Sequence, residues 1–102
     1  LLYFIEMFHL AGGKTAIAST AHKKNLINVL AHIGVLDTFD YVLGGEDVGK
    51  GKPSPEIYQN VLKHFECHPS QAIVFEDSEV GVKAAIDAGI NYIFIKKEFY
   101  GD

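Results

Sequence analysis

Two adjacent carboxylates, Glu76 and Asp77, follow directly after an apolar run and are the residues of this chain best placed for chemistry. The run, Ala-Ile-Val-Phe at 72–75, predicts a short strand covered on both faces. Open α/β sheets bind ligands at the carboxyl ends of such strands. Carboxylate oxygens are hard ligands that suit Mg²⁺, which prefers one or two carboxylates together with waters and a phosphate oxygen.

The same segment has a purely structural interpretation, which the residues alone leave open. Asp77 or Ser78 can cap the helix that follows, and Glu79 in its first turn would interact favourably with the helix dipole. The amino terminus of that helix is also a potential phosphate site, and Gly81 would keep the approach to it open.

Ser19 and Lys52 are the other candidates for phosphate chemistry. Ser19 ends the strand-like run 15–19, where its hydroxyl can donate to a phosphoryl oxygen or cap the next helix. Lys52 lies in a Gly-rich loop before a helix that Ser54 and Pro55 begin, so its ammonium can be held as a countercharge to a phosphate and a carboxylate. Free solvation is the alternative for a lysine considered by itself.

A false phosphate-binding loop lies at 44–50, which matches the first seven positions of the pattern GxxxxGK[ST]. Gly51 stands where the pattern needs the hydroxyl that holds Mg²⁺. Glu46 and Asp47 would also place negative charge inside the phosphate cradle. We therefore reject this motif.

The histidines and the single cysteine do not form a convincing site. His64, Cys67 and His68 lack a fourth ligand at a zinc spacing, so a helix end and a turn at Pro69 are the better interpretation. His22 follows Ser19 by three residues and either contacts substrate or covers the start of a helix.

Composition excludes several classes of partner. The formal charge of -4 and the absence of a long run of Lys or Arg argue against binding to nucleic acid or to an anionic membrane. No stretch is apolar for long enough to span a bilayer. The lone Cys67 cannot form an internal disulfide, which favours a reducing, cytoplasmic location.

Strand-like and helix-like segments alternate along the 102 residues, which predicts one α/β domain with parallel strand pairing and right-handed crossovers. Ser19, the loop 44–52 and the Glu76-Asp77 pair then all follow carboxyl ends of strands and should meet at one edge of the sheet. The predicted segments are a helix over 2–10 ending at Gly12-Gly13, a strand over 14–19, a helix over 22–33, a strand over 41–43, a helix from Ser54, a strand ending at Glu76, a helix to Ala88 and a strand over 90–95.

Three motifs in order, IAST at 17–20, GKPSPEIY at 51–58 and VFEDSEVGVKAAIDAGI at 74–90, resemble the haloacid dehalogenase (HAD) superfamily. They are most similar to its β-phosphoglucomutase-like and phosphoglycolate phosphatase-like branch. The resemblance implies a Rossmann-like parallel sheet with helices on both faces, a Mg²⁺ cofactor and a small phosphorylated metabolite as substrate.

The resemblance also implies a role for each matching residue. Ser19 would bind the transferring phosphoryl group together with Thr20, and Lys52 would stabilise negative charge on the nucleophile and the phosphoryl oxygens. Asp77 would bind Mg²⁺, and Glu76 would bind the ion directly or through water.

The chain departs from the family in one respect, because it lacks the first motif, DxDxT/V. That motif supplies the aspartate nucleophile, and here no two aspartates are separated by one residue. We therefore expect residues 1–102 to be a single domain, the C-terminal half of a HAD-like core without its cap. The isolated chain should be inactive, and an N-terminal segment carrying DxDxT should complete the site in a longer parent protein.

Two further expectations follow from the missing motif. The strand that bears it lies mid-sheet in the family, so its loss should leave two half-sheets with unpaired edges. The alternative to an enzyme is a non-catalytic module that binds metal and phosphate or serves as an interaction surface.

Overall fold

The computed structural model describes residues 6–10, as backbone, and residues 13–95, and it contains five strands and three α-helices in that part of the chain. The strands are β1 (Glu6–Leu10), β2 (Thr15–Ala18), β3 (Tyr41–Leu43), β4 (Ala72–Glu76) and β5 (Asn91–Phe94). The helices are α1 (Lys23–His32), α2 (Glu56–His64) and α3 (Glu79–Asp87). None of these helices has the length and apolar content that crossing a membrane requires.

The strands form one sheet in the order β3-β2-β1-β4-β5. The outer pairs, β2 with β3 and β4 with β5, are parallel as predicted. The central strand β1 runs antiparallel to both of its neighbours, with Met7 opposite Ile17 on one side and Phe75 on the other. The fold is therefore α/β with parallel outer pairs and an antiparallel centre.

Two predictions about the amino-terminal part are wrong. Residues 6–10 form a strand and not part of a helix over 2–10, while residues 2–5 of that prediction and Gly12 lie outside the described residues. The sheet is also not divided into two halves, because β1 pairs with β2 and with β4. The backbone groups of β2 and β4 need partners between them, and this tertiary demand outweighs the local helical pattern.

Alternation along β2 divides the core between the two faces of the sheet. Ile17 faces α1 and packs with Leu26 and Leu30. Ala16 and Ala18 face the opposite way, into a larger cluster that α2 and α3 help to build. Successive side chains of a strand point to opposite faces, so helices are needed on both sides, as the resemblance implies. The larger cluster includes Leu43, Ile57, Tyr58, Val61, Val74, Ala84 and Ala85.

The directions of the strands bring the candidate residues to one edge. Because β1 is antiparallel to both neighbours, β2 and β4 run in the same direction. Ser19 follows the last residue of β2, and Glu76 is the last residue of β4, so both lie at the same edge of the sheet. One strand lies between them, so the two strand ends are about 10 Å apart. The amino-terminal end of β1 lies between these ends, with Glu6 in register with Ala18.

The loop after β3, which carries the rejected phosphate motif, binds the start of α1 instead. Both carboxylate oxygens of Glu46 accept from the backbone N–H of Lys23, at 3.0 and 3.1 Å. Asp47 accepts from the backbone N–H of Gly44 at 2.8 Å and pairs with the Lys23 ammonium at 3.1 Å. The N-cap residue of α1 makes no side-chain capping hydrogen bond. Glu46 accepts from the first backbone N–H of this helix instead, so a charge that argued against a phosphate cradle stabilises the start of α1.

These contacts lower the pKa of both carboxyl groups. The backbone N–H groups of Glu46 itself and of Lys23 hold the pKa of Glu46 below its ordinary value of 4.5. Partial burial raises the pKa of Asp47, but the Gly44 N–H and the Lys23 ammonium outweigh it, so that this pKa lies below 3.8. Both groups therefore stabilise the folded state in their charged form.

We predict that Glu46→Gln lowers the midpoint of thermal unfolding at neutral pH, because the charged acceptor at the α1 terminus is lost. A lowered folded-state pKa gives stability that is fully present above 4.5 and lost as the pH falls through the folded value. The difference between the two proteins should therefore shrink in acid. Asp87→Asn, which removes a carboxylate from an exposed pair with Lys83, is the control. A Glu46→Gln deficit that persists unchanged in acid would contradict this account.

Candidate functional site

The carboxylate of Glu76 is buried, with the residue 1% exposed, and it lies against the start of α3. Its Oε1 accepts from the backbone N–H groups of Asp77 and Ser78, at 3.1 and 3.2 Å, and from the Ser78 hydroxyl at 3.0 Å. A negative charge at this position is favourable because the first N–H groups of a helix lack partners within the helix.

The second oxygen of Glu76 binds two side chains from another part of the sequence. The ammonium of Lys52 lies 3.3 Å from Oε2, and the hydroxyl of Tyr58 donates to the same atom at 2.5 Å. The side chains of Lys52 and Glu76 are 1% and 0% exposed, so their ion pair is buried. A buried ammonium requires such a partner, and the predicted contact of Lys52 with a carboxylate is present.

Five donors therefore surround a carboxylate that has about four lone-pair positions. No lone pair is left over for a metal ion in this arrangement. Asp77 is the neighbouring carboxylate, half-buried at the end of β4. Among residues 13–95 no three His, Cys, Asp or Glu side chains form a group that could hold a metal. The prediction that Asp77 and Glu76 bind Mg²⁺ stays a prediction. Of the two carboxylates, Asp77 is the better candidate, because five donors already bind that of Glu76.

The alternative interpretation of residues 77–79, as the cap and first turn of a helix, is confirmed for Ser78. Ser78 is the N-cap of α3, and its hydroxyl oxygen accepts from the backbone N–H of Gly81 at 3.1 Å. A Cβ at Gly81 would overlap the carboxylate of Glu76. The carboxylate of Glu76 thus occupies the space that a side chain at residue 81 would need.

Ser19 lies at the end of β2 and is 1% exposed. Its backbone N–H donates to the carbonyl of Leu43 at 3.1 Å, and its hydroxyl oxygen accepts from the N–H of Ala21 at 3.1 Å. Thr20 is exposed, and its carbonyl oxygen lies so close to Gly45 that a Cβ there would overlap it. Ser19 and Thr20 therefore lie at the predicted edge, while Lys52 is in contact with Glu76.

Three histidines singled out in the sequence, His22, His64 and His68, make their contacts outside this cluster. His22 is exposed, with Nδ1 3.8 Å from Glu46, at the start of α1. The ring of His64 stacks on Tyr41, with ring centroids 3.7 Å apart. The side chain of His68 accepts from the N–H of Ser70 in the turn before β4. Each of these three side chains thus has a polar or ring contact outside the Glu76 cluster.

Tyr58 is the residue of the cluster that the sequence analysis missed. It is fully buried, and its hydroxyl reaches the carboxylate of Glu76. A signal was present, because Tyr58 precedes Val61 and Leu62 by three and four residues and so shares their helical face. A tyrosine on a buried face needs a partner for its hydroxyl, although the sequence does not specify which group supplies it.

Gly81→Ala should destabilise the protein although alanine is the better helix former by about 1 kcal/mol. The added methyl group would displace a carboxylate that five donors hold, and overpacking of this kind costs about 1–3 kcal/mol. Urea unfolding measures the change. Gly51→Ala is the matched control, since a Cβ there meets no atom within 4 Å. Equal effects of the two substitutions would show that the Gly81 contact does not matter.

The chain is similar to known proteins. The family model for haloacid dehalogenase-like hydrolases matches residues 2–95. A phosphorylated carbohydrates phosphatase of Thermotoga maritima is 38% identical over 81 residues, covering 79% of this chain and 38% of the relative. A validoxylamine A 7'-phosphate phosphatase of Streptomyces hygroscopicus subsp. limoneus is 43% identical over 63 residues, covering 62% and 30%.

The fold agrees with solved structures of the same kind. The crystal structure of a β-phosphoglucomutase from Clostridium difficile superposes with a TM-score of 0.69 at 32% identity, covering 78% of this chain and 35% of that protein. The chain thus spans between 30% and 38% of the lengths of these three proteins. Because the family model matches nearly the whole chain, the chain belongs to the haloacid dehalogenase-like hydrolase family.

Proposed function

We propose that the full-length protein is a Mg²⁺-dependent phosphatase or phosphomutase that acts on a small phosphorylated metabolite. The observation that carries this proposal is the buried Lys52–Glu76 pair, fixed beside Asp77 at the strand edge that also bears Ser19. Relatives named as phosphatases, and a structure named as a phosphoglucomutase, support the reaction class. The lone cysteine supports a cytoplasmic location.

Each residue of the edge then has a role in stabilising charge. Lys52 supplies a fixed positive charge to the phosphoryl oxygens, and the donors around Glu76 hold that charge in place. Ser19 and Thr20 donate hydrogen bonds to the phosphoryl group. Preorganised donors and charges are the main contribution that proteins make to phosphoryl transfer.

The metal would be held by Asp77, whose carboxylate has the oxygen chemistry that Mg²⁺ prefers. Bound Mg²⁺ would neutralise part of the negative charge on the phosphoryl group. Glu76 would act on the site through Lys52, since both of its oxygens already accept hydrogen bonds. The nucleophile is a carboxylate that the full-length protein supplies from outside these 102 residues, since no DxD pair occurs within them.

The proposal is tested with Asp77→Asn in the full-length protein, with an aryl phosphate as substrate. We expect kcat/KM to fall about a hundredfold or more in the presence of Mg²⁺, because the substitution removes a charged metal ligand. Asp87→Asn, at the far end of α3, should leave kcat/KM unchanged. Undiminished turnover by Asp77→Asn would reject the assignment of Asp77 to the metal.

The isolated 102-residue chain should not hydrolyse aryl phosphates at any Mg²⁺ concentration, because a lysine and two carboxylates without a nucleophile cannot form the covalent intermediate. Activity should return when a segment carrying DxDxT is supplied. Release of aryl alcohol is measured by absorbance. Turnover by the isolated chain would place the nucleophile among residues 1–102 and contradict this part of the proposal.

One observation favours the non-catalytic alternative: the side chain of Lys52 is 1% exposed and so closed to a ligand in this structure. A module that serves as an interaction surface would tolerate this burial, whereas an enzyme, or a module that binds phosphate through Lys52, must expose the ammonium to its ligand. Absence of phosphatase activity in the full-length protein would favour the module.

A further inference from the structure

We propose that Tyr58 is a positioning residue for Lys52, acting through the carboxylate of Glu76. This inference rests on the proposed function for its effect on catalysis, but the contacts that carry it are independent of any reaction. Tyr58 is fully buried on α2, six residues after Lys52, and β4 supplies the carboxylate that both side chains bind.

The three groups meet at a single atom. The Tyr58 hydroxyl and the Lys52 ammonium lie 2.5 and 3.3 Å from the same Oε2 of Glu76. The ammonium also lies 5.2 Å from the centroid of the Tyr58 ring, within the range of a cation–π contact. Tyr58 therefore acts on Lys52 in two ways, by contact through its ring and by holding the shared acceptor with its hydroxyl.

The hydroxyl helps to fix the orientation of the carboxylate. Three donors at the start of α3 hold Oε1, and the Tyr58 hydroxyl and the Lys52 ammonium hold Oε2. Tyr58 provides the shorter of the two bonds to Oε2 and comes from a rigid helix. Lys52 shares Oε2 with this hydroxyl, so a shift of the carboxylate moves an acceptor of its flexible ammonium.

Removal of the hydroxyl should therefore move the ammonium without removing it. Tyr58→Phe keeps the ring, and with it the apolar packing and the cation–π contact, but deletes the donor to Oε2. A small displacement of a charge that stabilises a transition state lowers kcat, whereas the binding of substrate in its ground state changes little.

The kinetic test compares Tyr58→Phe with Tyr41→Phe in the full-length protein, using an aryl phosphate and Mg²⁺. We expect Tyr58→Phe to lower kcat about tenfold with KM changed less than about twofold. Tyr41→Phe is the control, because its ring stacks on His64 and its hydroxyl makes no hydrogen bond within residues 13–95. An unchanged kcat in Tyr58→Phe, or an effect confined to KM, would overturn the proposal.

A second measurement does not depend on activity. In protein labelled with ¹⁵N at lysine side chains, the buried Lys52 ammonium should give a slowly exchanging NMR signal, and Tyr58→Phe should shift or broaden it while Tyr41→Phe does not. A Lys52 signal that is the same in all three proteins would overturn the positioning role. A wild-type protein without phosphatase activity would refute the proposed function alone, since the Lys52 signal still decides this inference.

Wild-type protein provides a test should Tyr58→Phe fail to fold. With tyrosine labelled at ¹³Cζ and dissolved in a mixture of H₂O and D₂O, a hydroxyl held in a buried hydrogen bond exchanges slowly and gives two resolved Cζ signals. Tyr58 should show this pair of signals. A single averaged Cζ signal for Tyr58 would mean that its hydroxyl is not held by Glu76, and the proposal would be overturned.

Discussion

The buried carboxylate of Glu76 is the interaction on which this edge of the molecule depends. It lies at the end of β4 and joins the start of α3, the loop that carries Lys52 and the helix α2 that carries Tyr58. A buried charge that loses its partner costs about 3–5 kcal/mol, so these elements cannot separate without a large penalty. The resulting fixed geometry is what a phosphoryl-transfer site needs, because such a site depends on charges that are already in place before the reaction begins.

The same physical solution appears twice at this edge. Glu46 binds the first N–H of α1, and Glu76 binds the N–H groups at the start of α3. Each carboxylate has a lysine nearby, since Asp47, next to Glu46, pairs with Lys23, and Glu76 pairs with Lys52. In the described part of the chain, the carboxylates of Glu46 and Glu76 thus accept hydrogen bonds from backbone N–H groups at the starts of α1 and α3. In the function we propose, the phosphate is recognised by side-chain donors of this edge, chiefly Lys52, Ser19 and Thr20.

The central strand determines how that edge is assembled. With β1 between them, β2 and β4 belong to one sheet, and their parallel directions place Ser19 and Glu76 on the same side. Because β1 is antiparallel, its amino-terminal end, and not its carboxyl end, lies between the two candidate residues. The backbone pairing of the sheet is satisfied either way, since a strand can accept an antiparallel or a parallel neighbour.

The strands and α-helices from residue 14 onward could be predicted from the sequence, as could the placement of Ser19, Lys52, Glu76 and Asp77 at one sheet edge. These inferences succeeded because apolar periodicity, Gly and Pro stops and strand-end carboxylates are local signals. The assignment of residues 6–10 to the central strand depends on long-range pairing, because the local sequence of this segment does not show that β2 and β4 need hydrogen-bond partners. The tertiary structure also decided the partners of Glu76. Which donors reach a buried carboxylate depends on how α2 packs against β4, and no spacing along the chain specifies that contact.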